Sequence, residues 1–202
     1  CDTFPFEERT FFAQAVAMLQ QDDTEAVRGI LHHHADSVWV GKGESQAQWG
    51  LLGTALALIE ACGDYSRELA GHAHSQEQLI EYYLTSLRDV DRLQREFEQA
   101  YGDHIAFDAE DVLAPVVDQA RSHYRQLVSK VQAKFTQHLE SSGWPPTARL
   151  ANADVFDQLV APTLQQAGQR VAYIQVDALR YELGVALQQQ LAEDDPFEIQ
   201  AA

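Results

Sequence analysis

The sequence predicts a mainly α protein: a helical domain built on a long antiparallel helical hairpin, followed by the truncated start of an α/β core. Three observations carry this. Apolar residues recur every three or four positions from Leu79 to Tyr101 and again from Val112 to Leu139, the stripe of an amphipathic helix each time. Between the two runs, GDHIAFD turns the chain, and helices joined by a short turn lie antiparallel. Near the end, the almost unbroken apolar run Val171 to Val176 follows Gly168 and meets Asp177, after which the spacing becomes helical.

In chain order, Phe4 and Phe6 flank Pro5 and open a first helix through Phe12, Val16 and Leu19, with an aromatic face, ending near Asp22. A short second helix runs from Thr24 to Ala35, with Asp22 or Asp23 as its cap. VWVGKGES is a loop, and Glu44 or Ser45 opens a third helix through Trp49, Leu52, Leu56 and Ile59. That helix is apolar nearly all round, which places it at the centre of the domain. Gly71 and HAHS punctuate the chain. Ser75, with Gln78 three residues on, has the form of a capping box and starts the first arm of the hairpin, through Leu79, Tyr83, Leu87, Val90, Leu93, Phe97 and Tyr101.

The second arm starts with Asp108 and Asp111 in its first turn, tolerates Pro115 there, and runs through Val116, Ala120, Tyr124, Leu127, Val131, Phe135 and Leu139. SSGWPPTARL, residues 141–150, then supplies Gly143, Pro145 and Pro146, which end a helix and stiffen a linker. A domain edge falls there, dividing a helical domain, 1–150, from an incomplete α/β domain, 151–202. In the latter, a helix from Asp154 to Ala167 is interrupted at Pro162. The strand Val171 to Val176 comes next, then a helix with a stripe of Leu179, Leu183, Ala186, Leu187 and Leu191, then a second strand around Phe197 and Ile199. A chain that starts at Cys1 and ends within that second strand is read as a piece of a longer protein.

The 202 residues carry 31 acidic and 14 basic side chains, a net charge of -17, with no basic block. Such a surface repels phosphate backbones, so nucleic acid is not expected to be gripped by this piece. Two cysteines, Cys1 and Cys62, make no disulfide framework and no zinc spacing, and the chain reads as cytoplasmic. The apolar segment Trp49 to Cys62 is too short and too broken to span a membrane.

Asp177, at a strand-to-helix switch, has two readings from the residues alone: a helix N-cap, or a metal ligand or catalytic carboxylate at the ligand-binding edge of an α/β sheet. Arg180 stands where a capping box would place Glu or Gln, so Arg180 and Glu182 pair locally, brace the site, or lie on a solvated face. His32, His33 and His34 point in different directions and are expected to be partly exposed; His72 and His74 lie at a helix end, and His104, His123 and His138 are isolated. Trp39, Trp49 and Trp144 are expected to be packing anchors. No phosphate loop, nucleophile elbow or dinucleotide fingerprint occurs.

The run VAYIQVDALRYELG resembles the start of the PglZ domain, the phosphatase-like core of a protein of bacterial BREX phage-defence systems. The upstream helices, with SVW near position 38 and Trp49 opening an apolar helix, are similar to the helical region before that core. The resemblance implies an alkaline phosphatase superfamily core, hydrolysis of phosphate esters at paired divalent metals, usually zinc, and a metal-ligand role for Asp177. It places the nucleophile and the other ligands after the second strand, so the expected intact protein is a metal-dependent phosphodiesterase or nuclease and the present piece is expected to be inactive. Other BREX components are the implied partners, through the helical domain. The rival reading is a helical docking module of a defence complex with no catalytic role.

Overall fold

The structure, a computed structural model, describes residues 4–105, 113–146 and 149–194. It is mainly helical, with no strand among the described residues. Helix α1, Pro5–Gln20, starts on a proline in its first turn, where the missing N–H costs no helical bond. Asp22, at a positive φ of 61°, reverses the chain, and the carboxylate of Asp23 accepts from Ala26 N at 3.1 Å to cap α2, Thr24–His34.

Helix α3, Gly43–His72, is 30 residues long and runs well past Ile59. Its glycines weaken it by about 1 kcal/mol each relative to alanine, and burial outweighs them: Leu51, Leu52, Ala55, Leu56, Leu58, Ile59, Cys62 and Leu69 are all buried. The Cys62 thiol is 3 % exposed, and burial pushes its pKa up to about 12.

Ser75 Oγ then accepts from Gln78 N at 3.2 Å and caps α4, Gln76–Tyr82. One wide π turn, Tyr83–Leu87, joins α4 to α5, Arg88–Ile105, without a break. The buried positions explain it. Leu79 and Tyr82, then Leu87 and Val90, are spaced by three, but five residues separate Tyr82 from Leu87. An α-helix would rotate Leu87 off the core face; a wider turn keeps it there.

Helix α6, Ala114–Ser142, has Pro115 in its first turn and stops at Gly143, whose φ of 78° and N–H to Leu139 O at 2.8 Å form a C-terminal cap. The expected start of this arm at Asp108 and Asp111 lies outside the described residues. Cross-links fix the directions. Glu98 meets Arg121, Asp91 meets Tyr124 and Gln76 meets Gly143, so α4–α5 and α6 are antiparallel. Ser66 meets Lys130 and Ala73 meets His138, so α3 runs parallel to α6. Most of the packing of both arms is nonetheless against α3, making a three-helix bundle with α3 inside rather than a free-standing hairpin. Helices α1 and α2 close one end, where Gln119 Nε2 donates to Leu19 O at 2.8 Å and Arg28 pairs with Glu60.

The chain after Leu150 departs from expectation. Residues 152–164 form a 3₁₀ turn, a π turn and a short α7, Ala161–Leu164, with Pro162 in its first turn. Residues 171–176 are not a buried strand: they are irregular and donate no backbone hydrogen bond to a described residue. Tyr173, Ile174 and Val176 are 49 %, 80 % and 56 % exposed. A strand forms only beside another that takes up its N–H and C=O groups; Phe156 meets the Tyr173 ring, but no described segment pairs with this backbone. Helix α8, Tyr181–Asp194, does form, but it turns Leu187 and Leu191 to solvent, as Leu179 is just before it, and packs on the π turn and α5 through Tyr181 and Glu182. The second strand expected around Phe197 and Ile199 lies outside the described residues.

Candidate functional site

Asp177 is exposed and sits in a tight turn, followed by Ala178 at a φ of 53°. Helix α8 starts four residues later, and the carbonyl of Arg180 accepts from Leu183 N and Gly184 N, both at 3.1 Å. Asp177 is therefore not the helix cap. The turn holds it away from the first helical N–H groups, which leaves its carboxylate open to a ligand but supplies none.

The segment after Asp177 is anchored. The Glu182 side chain is 3 % exposed and receives a forked guanidinium from α5, with Arg95 Nε 3.1 Å from Oε1 and Nη2 3.2 Å from Oε2. That bond raises the Arg95 pKa above its ordinary value. Glu182 thus pairs across the fold, not locally with Arg180. Beside it the Tyr181 ring meets Tyr83, and Arg88 lies over its face at 5.8 Å.

Beside this contact Asp91 collects two phenols, Tyr83 of the π turn at 2.7 Å and Tyr124 of α6 at 2.8 Å. Burial first, and then the bond to Asp91, push both phenols above their usual range. One turn away, Arg121 grips Glu98 at 2.9 and 2.6 Å and holds its carboxyl below the usual range. A recess of about 480 Å³ opens between these pairs, bordered by Gln94, Arg95, Glu98, Arg180 and Glu182. The carboxylates of Glu98 and Glu182 are bound to guanidinium groups, so the recess is a charge-paired joint rather than a set of open ligands. No group of three or more His, Cys, Asp or Glu side chains placed to hold a metal occurs among the described residues.

A second cluster, at the other end of the bundle, is not apparent from the sequence. Glu8 in α1 is only 6 % exposed. Its Oε1 accepts from the Trp49 indole Nε1, and its Oε2 accepts from Ser37 Oγ at 3.5 Å. His34 Nδ1 lies 3.5 Å from Oε2 without a hydrogen bond, and its ring stacks on Trp49 at 5.5 Å and meets Phe11 at 4.4 Å. Of the three consecutive histidines expected to be partly exposed, His32 and His33 are exposed and His34 is buried. The remaining histidines scatter: His72 stacks on Tyr82, His138 Nε2 is 3.0 Å from Ala73 O, and His123 is 3.6 Å from Asp22. Of the tryptophans, Trp49 is a buried anchor, whereas Trp144 is 62 % exposed.

One signal for this cluster does lie in the sequence. Glu8 falls on the same α1 face as Phe12, Ala15 and Leu19, and a carboxylate within an apolar stripe needs buried partners. Which partners it finds depends on tertiary packing. Against this geometry, no protein-family model, no curated protein and no solved structure matches the chain.

Proposed function

We propose that this chain is the helical module and the opening core segment of a PglZ-type phage-defence protein, whose intact form is a metal-dependent phosphodiesterase or nuclease. One observation supports this above the others. The run at 171–176, apolar except for Gln175, lies on the surface and meets an open Asp177, while the helix after it is locked to α5 by a buried Glu182. An apolar run left uncovered beside a firmly docked helix behaves as a core strand awaiting the neighbours of its sheet. In the phosphatase-like reading those neighbours bring the nucleophile and the remaining metal ligands to the edge where Asp177 stands. Two divalent metals, zinc in the usual case, would then stabilise the attacking and leaving oxygens, with Asp177 as one ligand among several.

Asp177→Ala in the longer protein that this reading requires is expected to lower hydrolysis of bis(p-nitrophenyl) phosphate by about 100-fold or more. Wild-type turnover in that variant removes Asp177 from the site. Zinc titrated into residues 1–202 alone is expected to bind weakly; stoichiometric micromolar binding that is lost in Asp177→Ala contradicts the division of ligands.

A second reading, a docking module for other BREX components with no catalytic role, draws support from the exposed Phe4 and Phe6 and from the acidic surface, which suit protein contacts. The sequence following Ala202 separates the two. A Thr on a loop, with Asp and His at later strand ends, supports hydrolysis, and their absence supports docking.

A further inference from the structure

The recess of about 480 Å³ between α5 and the start of α8 has room for a small ligand, and its charges do not balance. Arg95 is committed to Glu182, and Glu98 to Arg121. Arg180 is the remaining charged side chain at its border, and its guanidinium has no carboxylate or hydrogen-bond partner among the described residues. The two pairs cancel, so the recess carries the single positive charge of Arg180. That charge is felt inside the fold: burial and then Asp91 push the Tyr124 phenol up, and Arg180 pulls it back. The first turn of α8 borders the same space, and the positive end of its dipole adds to the guanidinium.

The wall sets a second requirement. Gln94 Nε2 donates to Glu98 Oε1 at 2.7 Å, which fixes which end of the amide is oxygen. The other end, Oε1, is buried and accepts no hydrogen bond from a described residue. Reversing the amide would set that oxygen against the Glu98 carboxylate, so Gln94, at the border of the recess, keeps an acceptor that lacks a donor. An unpaired buried acceptor costs free energy, and a ligand that brings a hydrogen to it recovers that cost. A ligand for this recess therefore carries negative charge for Arg180 and a hydrogen for Gln94. Phosphate has both, since at neutral pH it keeps an O–H, and its oxygens match the fork of a guanidinium. Sulfate has the same shape and no such hydrogen. The net charge of -17 opposes any anion at long range, so affinity must come from these contacts rather than from steering.

We propose that this recess binds a phosphate group that carries a proton, either inorganic phosphate or the monoanion of a phosphomonoester, with its anionic oxygens on Arg180 and its O–H donated to Gln94 Oε1. Leu183 offers the stem of an ester an apolar contact. This inference stands on the recess alone and not on the phosphatase-like reading.

The test is calorimetry and NMR of side-chain N–H groups on the 202-residue chain, titrated with sodium phosphate, sodium sulfate and phenyl phosphate at about pH 6, where a phosphomonoester is about half protonated. Saturable binding of phosphate is expected, with shifts of the Gln94 amide and Arg180 Nε–H resonances, and sulfate is expected to bind more weakly by about tenfold or more for want of the hydrogen. Arg180→Gln, at an exposed position, is expected to weaken both anions by about tenfold. Gln94→Met is expected to bring phosphate down to the level of sulfate and to leave sulfate unchanged. Tighter binding of phenyl phosphate than of phosphate assigns the ligand to an organic ester, and the reverse assigns it to the free ion. Equal binding of sulfate and phosphate, no saturation by either phosphate, or undiminished binding in Arg180→Gln overturns the proposal.

Discussion

At the scale of single residues, the polar groups of this protein are strong where they cross between helices. Glu98 illustrates the pH consequence. Arg121 lowers its pKa in the folded chain, so its contribution to stability is complete above the ordinary carboxylate value of about 4.3 and is lost as pH falls through the lowered one. Glu98→Gln is therefore expected to cost about 0.5 kcal/mol at neutral pH, the modest figure reflecting a pair more than one-third exposed, and to flatten the acid limb of the stability curve. Melting temperatures across the acid range check both. An unchanged acid limb assigns acid sensitivity elsewhere.

Residue-scale features are the least legible in the sequence. Ser75 can be read as a cap because its partner, Gln78 N, is three residues away. Glu182 cannot be read as the partner of Arg95, because 87 positions separate them and only the docking of α8 on α5 brings them together. His34 departs from its expected exposure for the same reason: its burial is decided by α1 and Trp49, not by its own helix.

At the scale of elements, α8 depends on one joint. Burying Glu182 is tolerable only with Arg95 in place, since removing Arg95 leaves a buried carboxylate without its partner at a cost of about 1 to 3 kcal/mol, the guanidinium itself being 43 % exposed. Arg95→Met is expected to release α8 from α5 while the bundle stays folded. Hydrogen exchange should show α8 amides losing protection and α3 amides keeping it. Restoration of α8 protection in the double variant Arg95→Met, Glu182→Leu would show that the charge, not the contact area, caused the loss; simultaneous loss of protection in both helices would contradict a local joint.

Elements with their own periodicity are legible, and those that need a distant neighbour are not. Helices α1 and α2 form where their apolar spacing indicates, α2 with the Asp23 cap its sequence offers, and α6 follows its apolar stripe from Val116 onward, because these signals act within one helix. The run at 171–176 has the composition of a covered strand, but a strand's hydrogen bonds belong to its neighbours, and the described residues offer none. The antiparallel arms are legible from their spacing; that α3 takes most of their packing is visible only as its all-round apolarity.

For the whole molecule, stability is concentrated where α3, α5 and α6 meet. Phe97 on α5 is fully buried within that core. Phe97→Ala is expected to destabilise the chain by about 3 to 5 kcal/mol, read as a shift of the urea midpoint. A cost below about 1 kcal/mol would mean that the three helices do not unfold as one unit.

Cys62 lies in the same seam, and its burial gives the molecule a built-in clock. A thiol reacts with alkylating agents as the thiolate, and Cys62 is both shielded and held at a pKa of about 12. In a Cys1→Ser background, labelling by iodoacetamide should proceed only through openings of the bundle, at a rate set by the opening equilibrium and independent of Arg95→Met. Labelling as fast as that of a free thiol in the native chain would show that the seam breathes without unfolding. The residue that looked least useful for chemistry thus times how often the fold comes apart.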